Sequence, residues 1–317
     1  MQPIVSIVIP THNRGAMLER CLRSVLAAAP AAAEVIVSDD GSTDDTRERV
    51  AAVRGTDERV RCLSSKRAGP AAARNRGWRA AAAPIVAFID DDCVAEPGWV
   101  DRLVGALQGS SGWAGVEGRT RPEGAIRGFF YHTIDASEGS YLTCNIAFRR
   151  SELERVGGFD ERFPHPASED LDLAYRVIES CGPIGFAPDA VVRHAVIPVG
   201  PRHYLRRVRY DPSIYRLFAR HPARFAASNR LVRVPLLASV SRDRPPHFVQ
   251  IFLYLLSYRL HHAYFCLRDG KTLREKLVGS VTHLLCAAAS FGYVFRSHAG
   301  YRDGFRRGEP GEPCGCA

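Results

Sequence analysis

Paired cysteine motifs are absent from this sequence. Its nine cysteines occur singly, apart from Cys314 and Cys316 near the end, and no C-x-x-C spacing is present. The pattern therefore indicates neither a zinc ribbon nor a disulfide framework. Scattered cysteines of this kind are typical of reduced thiols in the cytosol. No internal repeat is visible either.

A secretion signal is also missing. Residues 4–9 are apolar and predict a strand at once, without a preceding basic segment or a cleavage site. We therefore expect no signal peptide and a cytoplasmic protein. No known nucleic-acid-reading motif is present, so nucleic acid is the least favoured partner.

Charge is distributed unevenly along the 317 residues. Residues 1–200 hold 23 Lys and Arg against 27 Asp and Glu, whereas residues 201–317 hold 20 against 7. The two parts therefore face different electrostatic partners. We predict a catalytic domain over residues 1–200, a basic helical region over 201–300 and a disordered tail over 301–317.

Strand-like and helix-like segments alternate over the first hundred residues. Apolar runs predict strands at 4–9, 34–38, 60–63 and 85–89, and helical periodicity or a leading proline predicts a helix after each of them. This alternation favours an α/β fold whose mostly parallel sheet carries helices on both faces.

The middle of the chain is less regular. Residues 109–140 are rich in glycine and polar residues, and we interpret them as a loop over the sheet edge. A strand at 142–148, a helix opened by a capping box at Ser151, a helix over 169–180 and short strands at 184–187 and 190–194 complete the predicted domain.

Three consecutive carboxylates, Asp90, Asp91 and Asp92, follow the apolar run at 85–89. Adjacent acids repel one another, and a hard divalent cation such as Mg²⁺ or Mn²⁺ offsets that repulsion while binding a diphosphate. The carboxyl end of a parallel strand is also where open α/β sheets bind ligands. A solvated acidic turn is the alternative.

Two further groups of polar residues fit the same chemistry. Asp39 and Asp40 follow the second predicted strand, where a carboxylate can accept the imide N–H of uracil or thymine or bind a ribose; an Asx turn with a helix cap is the alternative. Arg67, Arg74 and Asn75 lie at or before the next helix, and arginine suits bidentate phosphate contact. An exposed basic helix face is the competing interpretation there.

An acid pair, Glu169 and Asp170, begins a predicted helix. The helix dipole stabilises a carboxylate at this position and lowers its pKa. A general base therefore requires a compensating upward shift from burial or from the neighbouring acid. A plain pair of N-terminal acids is the alternative.

Seven short motifs follow one another in the first 195 residues. They are IPTHNR (9–14), SDDGSTD (38–44), ARNRG (73–77), FIDDD (88–92), CNIAFRR (144–150), VGGFDE (156–161) and EDLDLAYR (169–176). Each motif is weak alone, but in this order they resemble the family 2 glycosyltransferases, which are inverting enzymes with a GT-A fold.

The resemblance implies a role for each matching residue. Asp170 would be the base that deprotonates the acceptor hydroxyl, supported by Glu169. Asp92 would bind Mg²⁺ or Mn²⁺, with Asp90 and, as in some relatives, His194 as further ligands. A structural role is the alternative for His194. The implied nucleotide-sugar-binding residues are Pro10, Thr11, Asn13, Arg14, Asp39, Asp40, Arg67, Arg74, Asn75, Asp90 and Asp91.

The resemblance also implies the reaction. A sugar would move from a nucleoside-diphosphate sugar to an acceptor hydroxyl with inversion. Transfer of a single sugar is favoured, because the Q-x-x-R-W motif of the polymer-forming members is absent. A UDP-sugar is the default donor and dTDP-rhamnose stays open. The acceptor would be a glycan or a lipid-linked sugar of the cell envelope. Cys144 stands where Gly or Ala is common, which puts the acceptor-side pocket in doubt.

The basic region carries nine arginines and one acid over residues 202–233, interleaved with aromatic residues. This pattern is typical of an interfacial helix, and we expect peripheral attachment to an anionic membrane surface on its cytoplasmic side. The apolar segment 277–295 is long enough to span a bilayer, but the arginines after it oppose a span. A soluble helical subdomain is the other alternative.

Two other functions remain open at this stage. A sugar-nucleotide nucleotidyltransferase also places acids on an α/β sheet, although the segment after the first strand is a poor phosphate loop. A non-catalytic GT-A scaffold that docks a membrane partner is the second, and the presence of both Asp92 and Asp170 argues against it.

Overall fold

The computed structural model describes residues 2–125, 131–163, 166–207, 210–224, 256, 260, 280–282 and 284–289. The strands are β1 (Val5–Thr11), β2 (Ala33–Asp39), β3 (Val60–Ser64), β4 (Ile85–Phe88), β5 (Cys93–Ala95), β6 (Gly115–Glu123), β7 (Tyr131–His132), β8 (Ile146–Arg149), β9 (Ile184–Ala195) and β10 (Ile197–Pro198). The helices are α1 (Gly15–Ala28), α2 (Thr46–Arg54), α3 (Pro70–Arg79), α4 (Trp99–Gly109), α5 (Arg150–Val156), α6 (Glu169–Ser180), α7 (Pro201–Arg207) and α8 (Asp211–Arg220).

Contacts divide the chain into two units. The first comprises residues 1–127 and 131–197, and the second comprises residues 128–130 and 198–317. The candidate site described below lies within the first unit. In the second unit α7 and α8 are described, and Leu217 and Phe218 on α8 are buried.

The first unit contains an eight-stranded sheet with the strand order β3-β2-β1-β4-β8-β6-β9-β5. The first four strands run parallel, and β8 pairs antiparallel with β4 and with β6. Every residue of β1 and β2 is buried, which explains why their central residues are mostly apolar, because parallel strands are covered on both faces. The predicted, mostly parallel α/β sheet is confirmed.

Two buried clusters cover opposite faces of this sheet. Ile7 and Ile9 of β1 pack with α1, α2 and α4 on one side, whereas Val8, between them in the sequence, packs with α3, α5 and α6 on the other. Successive side chains of a strand point to opposite faces, so this alternation identifies two helical layers. The prediction of helices on both faces is therefore correct.

The interpretation of residues 109–140 as a loop over the sheet edge is wrong for part of that segment. Residues 115–123 form β6, which lies between β8 and β9 inside the sheet. Its glycines, which suggested a loop, are needed for packing. A Cβ atom on Gly115 would lie 2.7 Å from the Phe148 ring, and one on Gly118 would lie 2.2 Å from the carbonyl oxygen of Ala190.

Two local predictions also differ from the structure. The strands expected at 184–187 and 190–194 are one strand, β9, whose pairing with β6 shifts register after Gly118. The capping box at Ser151 does not form: α5 begins at Arg150, and the Ser151 hydroxyl donates to the adjacent Glu152 carboxylate at 3.2 Å.

Residues 301–317 and most of 277–295 lie outside the described residues, so the predicted tail and the possible span are not addressed by the structure. Among the residues that are described, no helix has the length and apolar character needed to cross a bilayer.

Candidate active site

The carboxyl ends of β1, β2 and β4 meet at one edge of the sheet, since these strands are parallel neighbours. Thr11 ends β1, Asp39 ends β2, and the acid triplet begins two residues after β4. The Thr11 hydroxyl donates a hydrogen bond of 2.7 Å to Asp91. The edge that open α/β sheets use for ligands therefore carries the predicted acids.

Asp92 lies beside His194. The short strand β5 pairs antiparallel with the end of β9, which sets Cys93 opposite His194, and the Ala195 amide donates to the Asp92 carbonyl at 2.9 Å. As a result the His194 Nε2 atom is 3.4 Å from Asp92 Oδ1. The Cys93 thiol is 3.9 Å from the same oxygen.

The hydrogen bond at the other ring nitrogen defines the proton position on His194. Its Nδ1 atom is 2.9 Å from the Ala195 carbonyl oxygen, which can only accept, so Nδ1 carries the hydrogen. In the neutral ring, Nε2 then presents a lone pair toward Asp92, the arrangement that metal-ligating histidines use. The ring is buried and packs edge-to-face with His132 at 5.5 Å between centroids.

The donor set at this point fits a divalent cation. One ligand atom each from Asp92, Cys93 and His194 lies within 4.8 Å of the other two, and all three residues are buried. A carboxylate oxygen and an imidazole nitrogen 3.4 Å apart match two ligands of one ion at about 2.1 Å from each. A hydrogen bond with Cys144, together with burial, raises the pKa of the Cys93 thiol. We therefore take the oxygen and nitrogen atoms as the donors.

Arg14 neutralises the same acids from the opposite side. Its Nη1 atom donates to Asp91 Oδ1 at 2.9 Å and to Asp92 Oδ2 at 2.8 Å, while 43% of its side chain is exposed. Burial raises the pKa of Asp91 to about 6 against the opposing charge of Arg14, and the Asp92 carboxylate adds to the rise. The sequence motif placed Arg14 near the donor but did not reveal these two ion pairs.

Arg74 connects the triplet to the acid pair at the start of α6. Its Nη2 atom donates to Asp90 and its Nη1 atom to Glu169, each at 2.8 Å. Both Arg74 and Glu169 are buried. The Arg74 guanidinium therefore connects the predicted catalytic acids to the predicted metal-binding acids.

Both members of the acid pair have a pKa above the ordinary value for their type, the direction that a base at the start of a helix needs. Burial and the charge of Asp170, opposed by Arg74, raise the pKa of Glu169 to about 7. Burial also raises the pKa of Asp170, again against Arg74. Ser168, directly before the pair, has φ of 70°, a left-handed conformation that is uncommon for serine and is found at functional sites.

Asp39 and Asp40 organise the loops around the end of β2. Asp39 is fully buried and accepts from the Ser42 amide at 2.8 Å and from Arg47 at 3.1 Å. The two Asp40 oxygens accept from the amides of Ala68 and Gly69 at 2.9 and 2.8 Å. Asp39 therefore fixes the segment between β2 and α2, whereas Asp40 fixes the loop that precedes α3 and carries the exposed Arg67.

Asn13 joins two of these loops. Its backbone amide donates to the Ser42 hydroxyl at 2.9 Å, and its side-chain oxygen accepts from the backbone amide of Thr43 at 2.7 Å. It too has a left-handed backbone, with φ of 53°. Pro10, at the end of β1, is buried next to Thr11.

Asn75 occupies a structural position. Its side-chain nitrogen donates to the Phe159 carbonyl at 2.9 Å and to Glu161 at 2.7 Å, and its oxygen accepts from Trp78 and from the Phe159 amide. The amide thus ties α3 to the segment after α5. Asn145 is similar, because its amide bonds to Trp99, Arg119 and Ala190.

Sequence reasoning missed Cys93 as a neighbour of His194. The signal lies in the pairing of the three-residue strand β5 with β9, which is too short to produce a periodic pattern. The contacts of Arg14 and Arg74 with acids were also missed, since the resemblance placed Arg14 at the nucleotide sugar and residue type alone assigned Arg74 to phosphate.

Residues 6–123 match the model of glycosyl transferase family 2. Over 219 residues the chain is 33% identical to the validoxylamine A glucosyltransferase of Streptomyces hygroscopicus subsp. limoneus, a match that covers 55% of this chain and 48% of that protein. The chain thus spans about half the length of this relative and of two others that it matches.

Solved structures share the fold. The mannosyltransferase PcManGT from Pyrobaculum calidifontis, in complex with GDP-Man and Mn²⁺, has a TM-score of 0.58 and 18% identity, covering 93% of this chain and 88% of that one. S. aureus TarS in complex with UDP has a TM-score of 0.52 and 15% identity, covering 96% and 92%. The fold is GT-A-like, and the chain carries a family 2 glycosyltransferase domain, as its motifs predicted.

Proposed function

We propose that this protein transfers one sugar from a nucleoside-diphosphate sugar to an acceptor hydroxyl, with inversion and with a divalent cation. The observation that carries the proposal is the chain of contacts in which Arg74 joins Asp90, in the triplet, to Glu169, in the acid pair. A diphosphate-binding group and a base must lie on either side of the reacting sugar carbon. The two acid groups fit these roles.

The donor side of the site uses Asp92 and His194. These two residues would hold Mg²⁺ or Mn²⁺, with Asp90 close by. Bound there, the cation would stabilise the negative charge of the departing nucleoside diphosphate. Thr11, Asp40 and the loop before α3 would surround the nucleotide, with the exposed Arg67 free to approach the phosphates or the base.

The acceptor side uses Asp170, supported by Glu169. The acceptor hydroxyl gives its proton to Asp170 as its oxygen bonds to the anomeric carbon, and the bond from that carbon to the diphosphate breaks with its electron pair. Attack opposite the leaving group inverts the anomeric configuration. A base of this kind contributes about 10²–10⁴-fold, and its pKa must lie near the working pH.

The donor and acceptor are proposed by class. UDP-hexoses are the first donors to test, followed by dTDP-rhamnose and GDP-mannose; a TarS structure contains UDP and the PcManGT structure contains GDP-Man. A glycan or lipid-linked sugar of the cell envelope is the acceptor class that we favour. The named acceptor of one relative, validoxylamine A, adds small molecules to the panel.

The test begins with thermal unfolding of the full chain against this panel, with and without MnCl₂, because a bound donor stabilises the folded state by mass action. Release of nucleoside diphosphate is then measured for Asp92→Asn and Asp170→Asn. We expect Asp92→Asn to lose metal-dependent donor binding, and Asp170→Asn to keep donor binding but lose turnover. Unchanged turnover in both variants would contradict the assignment.

Attachment to an anionic membrane is proposed for the basic region. Arg202, Arg206 and Arg220 are exposed on α7 and α8, whereas Leu217 and Phe218 are buried, which favours electrostatic attachment over insertion of this apolar face. Sedimentation with vesicles that contain phosphatidylserine tests this. Binding at low salt that is lost at high salt is expected, and no binding at low salt would reject the proposal.

A further inference from the structure

We propose that Arg74 is a positioning residue that holds Asp90 and Glu169 in one arrangement and thereby aligns the base with the donor site. This inference rests on the function proposed above. The two terminal nitrogens of one guanidinium bind acids from two elements, Asp90 after β4 and Glu169 at the start of α6, at 2.8 Å each. No single strand or helix holds these two acids together.

The surroundings of Arg74 favour this role over direct phosphate binding. Only 5% of the residue is exposed, and the Phe159 ring lies 5.8 Å from its Cζ atom. A phosphate would have to displace the buried ion pair with Glu169 and the partly buried one with Asp90 to reach the terminal nitrogens, which leaves two carboxylates without a counter-charge. Arg67, in contrast, is exposed and precedes the same helix.

One atom of Glu169 is left for a substrate. Its Oε1 atom accepts from Arg74, whereas its Oε2 atom is buried and has no hydrogen-bond partner among the described residues. A buried acceptor without a partner is costly, so such an atom marks a place for a water or a ligand hydroxyl. By fixing Oε1, Arg74 determines which oxygen of Glu169 is available beside Asp170.

The positive charge has a second effect. Arg74 opposes the upward pKa shifts of both members of the acid pair, and the other charges that act on them are Asp170 on Glu169 and Asp90 on Asp170. Without Arg74 the pair would hold its proton to higher pH. The pH at which kcat rises on the acidic side of the rate profile (the acid limb) should therefore change when Arg74 is removed, whereas loss of a purely structural arginine would leave it unchanged.

The experiment uses the full chain, MnCl₂ and the nucleotide sugar selected by thermal unfolding, with UDP-glucose first and water as the acceptor. Arg74→Gln is compared with Arg74→Lys, which keeps the charge. The matched control is Arg79→Gln, on the same helix, where the arginine is exposed and pairs with Glu161 at 3.4 Å.

We expect Arg74→Gln to lower kcat by about 10²-fold, to change the donor KM by less than about threefold and to move the acid limb up by about one pH unit. Arg74→Lys should keep the acid limb of the wild type, and Arg79→Gln should match the wild type throughout. A raised donor KM at unchanged kcat would instead make Arg74 a donor ligand. A lower kcat with an unmoved limb would make it purely structural.

A double variant guards against misfolding of the single one. If Arg74 acts through Glu169, then Arg74→Gln combined with Glu169→Gln should be no slower than the slower single variant. Rates that multiply would overturn the coupling. Wild-type protein that turns over no nucleotide sugar of the panel, with water or with any acceptor of the panel, would overturn the proposed function and this inference with it, whereas an active wild type with unaffected Arg74 variants would overturn the inference alone.

Discussion

The His194 Nε2 atom faces the Asp92 Oδ1 atom at 3.4 Å, and the Ala195 carbonyl accepts from the other ring nitrogen. These contacts orient the imidazole as the proposed metal site requires. His194 lies in β9, and the turn that carries Asp92 is anchored by the pairing of β5 with β9 and by the hydrogen bond from the Ala195 amide to the Asp92 carbonyl.

Removal of either ligand should weaken binding of Mn²⁺ to the protein without a donor. We expect at least about tenfold lower affinity for His194→Ala and for Asp92→Asn, measured by calorimetry. Asp101→Asn, which changes an exposed acid on α4, is the control and should bind Mn²⁺ like the wild type. Wild-type affinity in His194→Ala would make that histidine structural.

Removal of the Arg14 side chain should have the opposite effect on Mn²⁺ affinity. It supplies a positive charge to Asp91 and Asp92, so Arg14→Gln should tighten Mn²⁺ binding by about tenfold, which corresponds to about 1.4 kcal/mol. In EDTA the same variant should unfold at a lower temperature, because the acids then repel without a counter-charge. Weaker Mn²⁺ binding in Arg14→Gln would show that the arginine helps to hold the metal site together.

The stability of the fold should depend on pH through Glu169. Its pKa in the folded protein is raised to about 7, so the folded state binds the proton more strongly than the unfolded state, whose pKa is near 4.5. The stabilisation is present below the unfolded-state pKa and is lost as the pH rises through about 7. Glu169→Gln should therefore stabilise the protein, relative to the wild type, more at pH 8 than at pH 5, as measured by urea unfolding at the two values. An equal difference at both values would contradict the raised pKa.

A substitution of Asn75 distinguishes a structural role of this residue from a role in donor binding. Its buried amide makes four hydrogen bonds, so Asn75→Ala should lower the free energy of unfolding by about 2–4 kcal/mol, since the former partners lose a buried acceptor or donor. Donor KM should change less than about threefold in the folded variant. A stable variant with a strongly raised KM would restore the donor-binding role that the ARNRG motif implied.

The sequence predicted what depends on local pattern and on strand direction. Apolar runs located β1, β2 and β4, and the rule for parallel strands then put Thr11, Asp39 and the triplet at one edge, as observed. Long-range packing was not predictable. The glycines of β6 look like loop residues until Phe148 and the Ala190 carbonyl are seen to need their space.

The site shows the same division. Motif order made Asp92 and Asp170 candidates, but nothing in the sequence indicates that Arg74 reaches both Asp90 and Glu169, because residue type does not say whether an arginine faces a phosphate or a carboxylate. The contact between Asp92 and His194 depends on the three-residue strand β5, which leaves no periodic signal.

Asn13 carries a consequence for nucleotide affinity. Since its main chain and side chain both bind the segment that follows β2, the walls proposed to surround the base are joined before any ligand arrives. Binding would then order these two loops little further, so the loss of conformational entropy that weakens binding to mobile loops would be small. Asn13→Gly would disconnect these two loops. The loss of affinity should appear as a smaller association rate constant for free UDP, with the bound state little altered.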